Sequence, residues 1–220
     1  MVKTFSRLIT KVNRTEMSNK KNEWIVIHYV GAVSTAQNNA RYFETEYRGA
    51  SANYFVDENS IYQVVEDKDA AWHVGGAKHY YTGARNSNSI GIEMCCKKDF
   101  QGNWYIEPET IENTLWLTKQ LMNRYNIPLF RVTTHYKTTG KICPEPFVKH
   151  PEQWDNFLTR LEEMEMFVDE QKALDYLVEK GRITKEDYWK KTIDVVKDQK
   201  YIFIKWANDL RELEMKNGLI

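Results

Sequence analysis

The stretch WIVIHYV, residues 24–30, is almost continuously apolar, rich in β-branched and aromatic residues, and interrupted once, by His28. A strand with one wet face would alternate polar and apolar side chains. An unbroken run of this length instead predicts a strand buried on both faces. A second run of the same kind, SIGIEMCC at residues 89–96, carries a single charge, Glu93. Two such strands predict a sheet covered on both sides, and the segments between them indicate what covers it.

Residues 34–47, STAQNNARYFETEY, predict a helix capped by Ser34 or Thr35, with Ala36, Ala40, Phe43 and Tyr47 on one face. In NYFVDENSIYQVVED, two β-like runs flank Asp57-Glu58-Asn59-Ser60 and predict a hairpin. Residues 108–125 predict a helix, with Pro108 suited to the first turn and an apolar stripe of Ile111, Leu115, Leu121, Met122 and Tyr125. Residues 127–133 read as a turn and short strand leading to His135, and 151–167 as helical. Strands and helices thus interleave over 24–165. The expectation is an α/β domain with a mixed central β-sheet flanked by helices. Residues 1–23 are polar and basic and read as an extended lead-in. Beyond 165 the strand signals largely stop. Helices are expected over 167–180 and 184–213, so the chain divides into a domain over 1–165 and a small helical module over 166–220.

The bulk numbers fit this reading. The chain has 220 residues, 42% hydrophobic and 28% charged, which is globular rather than disordered. Lys+Arg 31 balances Asp+Glu 31, so total charge gives no reason to expect nucleic acid. The three cysteines, Cys95, Cys96 and Cys143, are too few and odd in number for a disulfide framework. No run approaches the roughly 20 apolar residues that span a bilayer, and the N-terminus lacks a signal-peptide pattern. The expectation is a chain made in the cytoplasm, with no export signal of its own and no membrane insertion.

Three residues carry metal-binding chemistry at suggestive places. His28 interrupts an apolar strand, His135 follows a strand, and Cys143 comes eight residues later, before a proline, in THYKTTGKICP. A loop of that length can double back and bring His135 and Cys143 to one ion beside His28. Three protein ligands with an open fourth position is the pattern of catalytic zinc. On spacing alone, a satisfied core histidine and a small buried thiol explain the same residues.

Four motifs in this order, WIVIHYVG, NYFVDENSIYQVVEDKDAAWHVGG, NSNSIGIEM and THYKTTGKICP, resemble the zinc-dependent N-acetylmuramoyl-L-alanine amidases of the type 2 family, relatives of the peptidoglycan recognition proteins. The resemblance covers roughly residues 7–160. It implies one Zn2+ per chain held by His28, His135 and Cys143, with Glu93 as the catalytic carboxylate and Lys141 stabilising negative charge on the tetrahedral oxygen. It places Trp72, His73, Asn86 and Asn88 at the substrate groove. The tyrosine that some members use falls at Ala52 here, with Tyr54 at the following aromatic position, so the glutamate version of the mechanism fits better. The implied partner is bacterial peptidoglycan, cut between N-acetylmuramic acid and L-alanine. The implied setting is a phage or prophage endolysin released through a holin; a non-catalytic peptidoglycan-binding protein of the same fold is the alternative. The C-terminal helices are read as a wall-binding or self-association element, equally well as an extension of the fold. Tyr80 and Tyr81 are possible groove residues, Cys95 and Cys96 structural ones, and His79 and His150 surface ones.

Overall fold

The computed structural model describes residues 4–164 and, beyond them, 176–181, 206–208, 210, 211 and 214. Two compact units are present, Met1–Met164 and Glu165–Ile220. The first contains the strands β1 (Thr4–Arg7), β2 (Trp24–Val33), β3 (Tyr54–Val56), β4 (Ser60–Gln63), β5 (Ser89–Lys98), β6 (Trp104–Tyr105) and β7 (Val132–Thr134). Its helices are α1 (Ala36–Glu44), α2 (Pro108–Tyr125), α3 (His135–Thr139), α4 (Glu145–Lys149) and α5 (Pro151–Glu163). Six strands run in the order β1-β4-β3-β5-β2-β7, and β6 pairs with β5. The β3–β4 and β5–β6 pairs are antiparallel and the remaining pairs parallel, which makes the sheet mixed.

The two apolar runs become the central pair. β2 and β5 are neighbours in parallel register, with Ile25 opposite Ile90, Ile27 opposite Ile92 and His28 opposite Glu93. Alternation then divides their side chains between two faces. Ile25, Ile27, Ile90, Ile92 and Met94 are wholly buried on one face. On the other, Val26 packs with Val74 and Ala84, while Val30 and Cys95 pack with Ala36 and Ala40 of α1. His28 and Glu93 belong to this second face.

Helix α1 is capped by Thr35, whose hydroxyl accepts from the Asn38 N–H, and the Ala36 N–H donates to Asp57 Oδ2 at 2.7 Å. It is shorter than its apolar pattern suggests, and Tyr47 is exposed. The reason lies in the lead-in: buried Asn13 donates to the Phe43 and Glu46 carbonyls at 2.7 and 2.6 Å and accepts from the Arg48 N–H, turning the chain away. The lead-in is therefore structural rather than merely extended. Its β1 pairs with β4, and Thr10 and Asn13 are wholly buried.

Helix α2 spans the expected residues, with Pro108 in the first turn and Asn126 left-handed at its end (φ 53°). It is buried around most of its circumference between Asn113 and Met122, wider than the expected stripe, because α5 packs against it as well as β3 and β5.

In the second unit, residues 176–179 and 206–208 are helical and Leu177 and Ala207 are wholly buried. The Tyr176 hydroxyl donates to the Glu214 carboxylate. Most of the helices expected over 167–180 and 184–213, and with them the wall-binding or self-association reading, lie outside the described residues. Among the described residues, no helix is long and apolar enough to cross a membrane.

Candidate metal centre and active site

Parallel register places the site. His28 on β2 lies opposite Glu93 on β5, and on the other side of β2 Ile27 lies opposite Thr134, the last residue of β7. The next residue after β7, His135, is therefore brought beside His28. Its ring centroid is 4.7 Å from that of His28, at 71°. Ligand and catalytic groups of open α/β sheets collect at such carboxyl ends of parallel strands.

The loop then returns the third group. Thr134 caps α3 by accepting from the Lys137 N–H, and Gly140, left-handed at φ 82°, ends the helix after one turn. The Tyr136 N–H donates to the Cys143 carbonyl at 2.8 Å, closing the loop on itself. Cys143 Sγ comes to rest 3.7 Å from His28 Nδ1. The potential ligand atoms of His28, His135 and Cys143 all lie within 4.8 Å of one another, and all three residues are buried.

Glu93 faces the same point, with Oε1 4.0 Å from His28 Nδ1 and a side chain 20% exposed. Burial raises its carboxyl to about 8, against the pull of the Lys141 ammonium. Burial also holds the imidazoles neutral. His28 titrates well below its usual range, with His73, His135 and Lys141 adding to the shift; His135 falls to about 4 and His73 to about 3. The Cys143 thiol is pushed up by burial and then by Glu93.

Two buried atoms here, His135 Nδ1 and Glu93 Oε2, have no hydrogen-bond partner. An orphaned buried polar atom costs about 1–3 kcal/mol. A divalent cation among His28, His135 and Cys143 would relieve the imidazole and reverse the thiol's shift, since a coordinated thiol is deprotonated outright. Two imidazoles and a thiolate are a zinc-type donor set with room for a fourth ligand. The residues fit the ion.

A groove of about 1210 Å³ opens over this point. His28, Glu93, His135 and Lys141 line it at the metal site, and Trp72 and Tyr42 line it further along. His73 reaches its floor, but both ring nitrogens are engaged inside the protein, Nδ1 with His28 Nε2 at 3.0 Å and Nε2 with Ser89 Oγ at 3.1 Å. Asn86 and Asn88 are not among the lining residues. Asn86 Oδ1 accepts from the His73 and Val74 N–H groups, and Asn88 bonds the Arg85 N–H and the Gly83 carbonyl. Both hold the loop that carries His73. Tyr80 and Tyr81 also lie off the groove lining; Arg85 stacks on Tyr80, and Tyr81 is exposed. Ala52 is buried, and the Tyr54 hydroxyl donates to Asp67 Oδ1 at 2.8 Å, away from the groove.

The sequence profile of the N-acetylmuramoyl-L-alanine amidase family, type 2, matches residues 18–146. The chain belongs to this amidase family. A probable N-acetylmuramoyl-L-alanine amidase of Bacillus licheniformis is 30% identical over 176 residues, 74% of this chain and 48% of the relative. The amidase CwlH of Bacillus subtilis (strain 168) is 34% identical over 123 residues, 56% of this chain and 45% of the relative. This member of the amidase family thus spans about half the length of the curated relatives it matches. Among solved structures, a mutant endolysin from Bacillus subtilis superposes with TM-score 0.60 at 28% identity, covering 73% of this chain and 99% of that one. The catalytic domain of XlyA does so with TM-score 0.58 at 26% identity, covering 72% and 99%.

Two features of the candidate site carried no role in the sequence reading. A Cβ on Gly91 would lie 2.6 Å from His73 Cγ, so this glycine makes room for the imidazole. Its signal was present, since a glycine inside an apolar strand marks close approach of another group. Ser89, which bonds His73 Nε2, had no comparable signal.

Proposed function

We propose that the protein is a peptidoglycan hydrolase that cleaves the amide between N-acetylmuramic acid and the L-alanine of the stem peptide, using one zinc ion held by His28, His135 and Cys143. Family membership supports the bond, and the convergence of the three ligand atoms within 4.8 Å carries the catalytic reading. Zinc in that position supplies Lewis-acid chemistry, polarising the scissile carbonyl and making water a competent nucleophile at neutral pH.

The chain's own residues do the rest. Glu93, facing the ligands from the neighbouring strand, takes the proton of the attacking water and hands it to the leaving alanine nitrogen. Its raised affinity for a proton suits the second half of that task. Lys141, at the groove wall, places its ammonium where negative charge builds on the tetrahedral oxygen. Trp72 offers an aromatic wall, its indole N–H fixed on Thr15 Oγ1 at 2.9 Å. Asn86 and Asn88 shape the groove through the backbone they hold.

The setting we favour is a phage or prophage endolysin that reaches the wall after a holin opens the membrane. The non-catalytic alternative is disfavoured by the intact ligand set, since a binding module has no use for a buried thiol beside two neutral imidazoles. The test is zinc analysis of the purified protein together with mass spectrometry of digested walls. Stoichiometric zinc and new L-alanine amino termini beside intact glycan are expected. Cuts within the stem peptide, or activity that survives thorough zinc removal, would refute the reading.

A further inference from the structure

We propose that His73 is a positioning residue of the metal centre, fixing the tautomer of His28 so that a bare Nδ1 lone pair faces Cys143 and His135. This inference rests on the zinc reading above. It starts from the far end of a buried chain of hydrogen bonds, where the proton's place is unambiguous.

The Arg85 carbonyl can only accept, and Ser89 Oγ lies 2.6 Å from it. The single hydroxyl proton of Ser89 is therefore committed to that carbonyl. Toward His73 Nε2, 3.1 Å away, Ser89 Oγ can then only accept, so Nε2 carries the ring's N–H. His73 is buried, and its ring nitrogens bond His28 and Ser89, neither a carboxylate that would hold a second proton, so the ring carries one N–H and one lone pair. The lone pair is on Nδ1, 3.0 Å from His28 Nε2. His28 must donate across that contact, which puts its own N–H on Nε2 and leaves Nδ1 bare. That bare nitrogen is the atom 3.7 Å from Cys143 Sγ.

Two independent features serve the same imidazole. Gly91 lies beneath it on β5, and a Cβ there would stand 2.6 Å from Cγ and 2.8 Å from Nδ1 of His73. Any side chain at that position would push the ring off His28. Asn86 Oδ1 accepts from the His73 backbone N–H at 3.1 Å and from the next N–H at 2.9 Å, holding the loop in place. With both nitrogens committed inside the protein, His73 has no polar atom left for substrate. Metal-bound imidazoles gain orientation and basicity from the acceptor on their other nitrogen, and losing that acceptor typically weakens metal binding about 10- to 100-fold.

The experiment combines spectroscopy of the metal-free protein with zinc titration against a competing chelator. Long-range proton–nitrogen correlation spectra of the metal-free wild type should show His28 and His73 both as Nε2–H tautomers. His73→Leu should bind zinc about 10- to 100-fold more weakly and let His28 exchange between tautomers. His73→Asn, whose Oδ1 can stand where Nδ1 stood, should recover most of that affinity. A merely structural histidine would not favour Asn over Leu in zinc affinity once both are shown to be folded. Finding His28 as the Nδ1–H tautomer in the wild type, or wild-type affinity in His73→Leu, would overturn the proposal. Failure of the wild type to bind zinc would strike the zinc reading instead, while the tautomers of the metal-free protein still decide for or against the relay.

Discussion

Glu93 lies directly across from His28 on the neighbouring parallel strand, its Oε1 4.0 Å from His28 Nδ1. The pair separates two jobs that single substitutions can tell apart. Glu93 is not among the three grouped ligands, so Glu93→Ala should keep zinc at the wild-type stoichiometry. Turnover should fall by about 100- to 10,000-fold, the usual contribution of a positioned general base. Cys143→Ser should lose zinc and activity together. Metal analysis beside dye release from labelled walls reads both; a Glu93→Ala variant near wild-type rate would remove Glu93 as the base.

Lys141 is exposed, and its backbone N–H, at 3.3 Å from Thr139 Oγ1, keeps the loop in shape whatever its side chain. Lys141→Ala should therefore leave thermal stability and zinc content unchanged. If the ammonium stabilises the developing oxyanion, kcat should drop by about 100- to 1000-fold. A change confined to KM would mean that the lysine binds substrate without favouring the transition state.

Gly91→Ala tests the floor of the site. The added methyl meets His73 at 2.6 Å, and the nearest atoms belong to an imidazole that is itself held at both ring nitrogens. Overpacking of this kind costs about 1–3 kcal/mol, and here the ring must shift relative to His28. Lower urea midpoints and weaker zinc retention should appear together. An unaltered zinc affinity would show that the ring can move without disturbing the ligand.

Asp57 joins two elements. Oδ1 accepts from the Asn59 and Ser60 N–H groups in the hairpin turn, and Oδ2 from the Ala36 N–H at the start of α1. Asp57→Ala strands the buried Ala36 N–H and removes the acceptor of the part-buried hairpin turn, and should cost about 2–4 kcal/mol by urea unfolding. Zinc stoichiometry of the folded fraction should not change, because α1 contributes no ligand.

Much of this was legible in the residues. Continuous apolar character named β2 and β5, and the polar residue breaking each run, His28 and Glu93, proved to be a cross-strand pair at the site. The His135–Cys143 spacing left two readings open, because spacing does not say whether a loop closes. The Tyr136 N–H bond to the Cys143 carbonyl settles that, and it is a tertiary fact. The structural role of the lead-in was not legible, since Asn13 acts through carbonyls 30 and 33 residues away. His73, Asn86 and Asn88 were placed at the groove by motif, but which way their polar atoms turn depends on Ser89 and on the backbone of the 73–89 loop.

The buried cluster also fixes a pH dependence for the metal-free protein. His28, His73 and His135 stay neutral in the folded state, the latter two down to about 3 and 4, whereas in the unfolded chain they titrate near 6.5. Between about pH 6.5 and 4.5 the unfolded chain therefore binds up to three more protons on these groups. Glu93 opposes them: raised to about 8, it holds a proton when folded that the unfolded chain has released. The net is about two protons in favour of the unfolded chain, so stability falls on acidification by up to ~2.8 kcal/mol per pH unit. Above about pH 7 the imidazoles are largely neutral in both states and the Glu93 difference prevails, so stability declines as pH rises toward 8; Cys143, kept protonated by burial, continues that decline at higher pH. Thermal midpoints of the metal-free chain should thus peak near pH 7. Zinc should raise them most at neutral pH, because bound metal and protons compete for the same ligands. Glu93→Gln should flatten the alkaline side and steepen the acid side, because the proton that opposes the imidazoles is gone. A profile already flat from pH 4.5 to 6.5 would mean that the imidazoles are not held neutral in the fold.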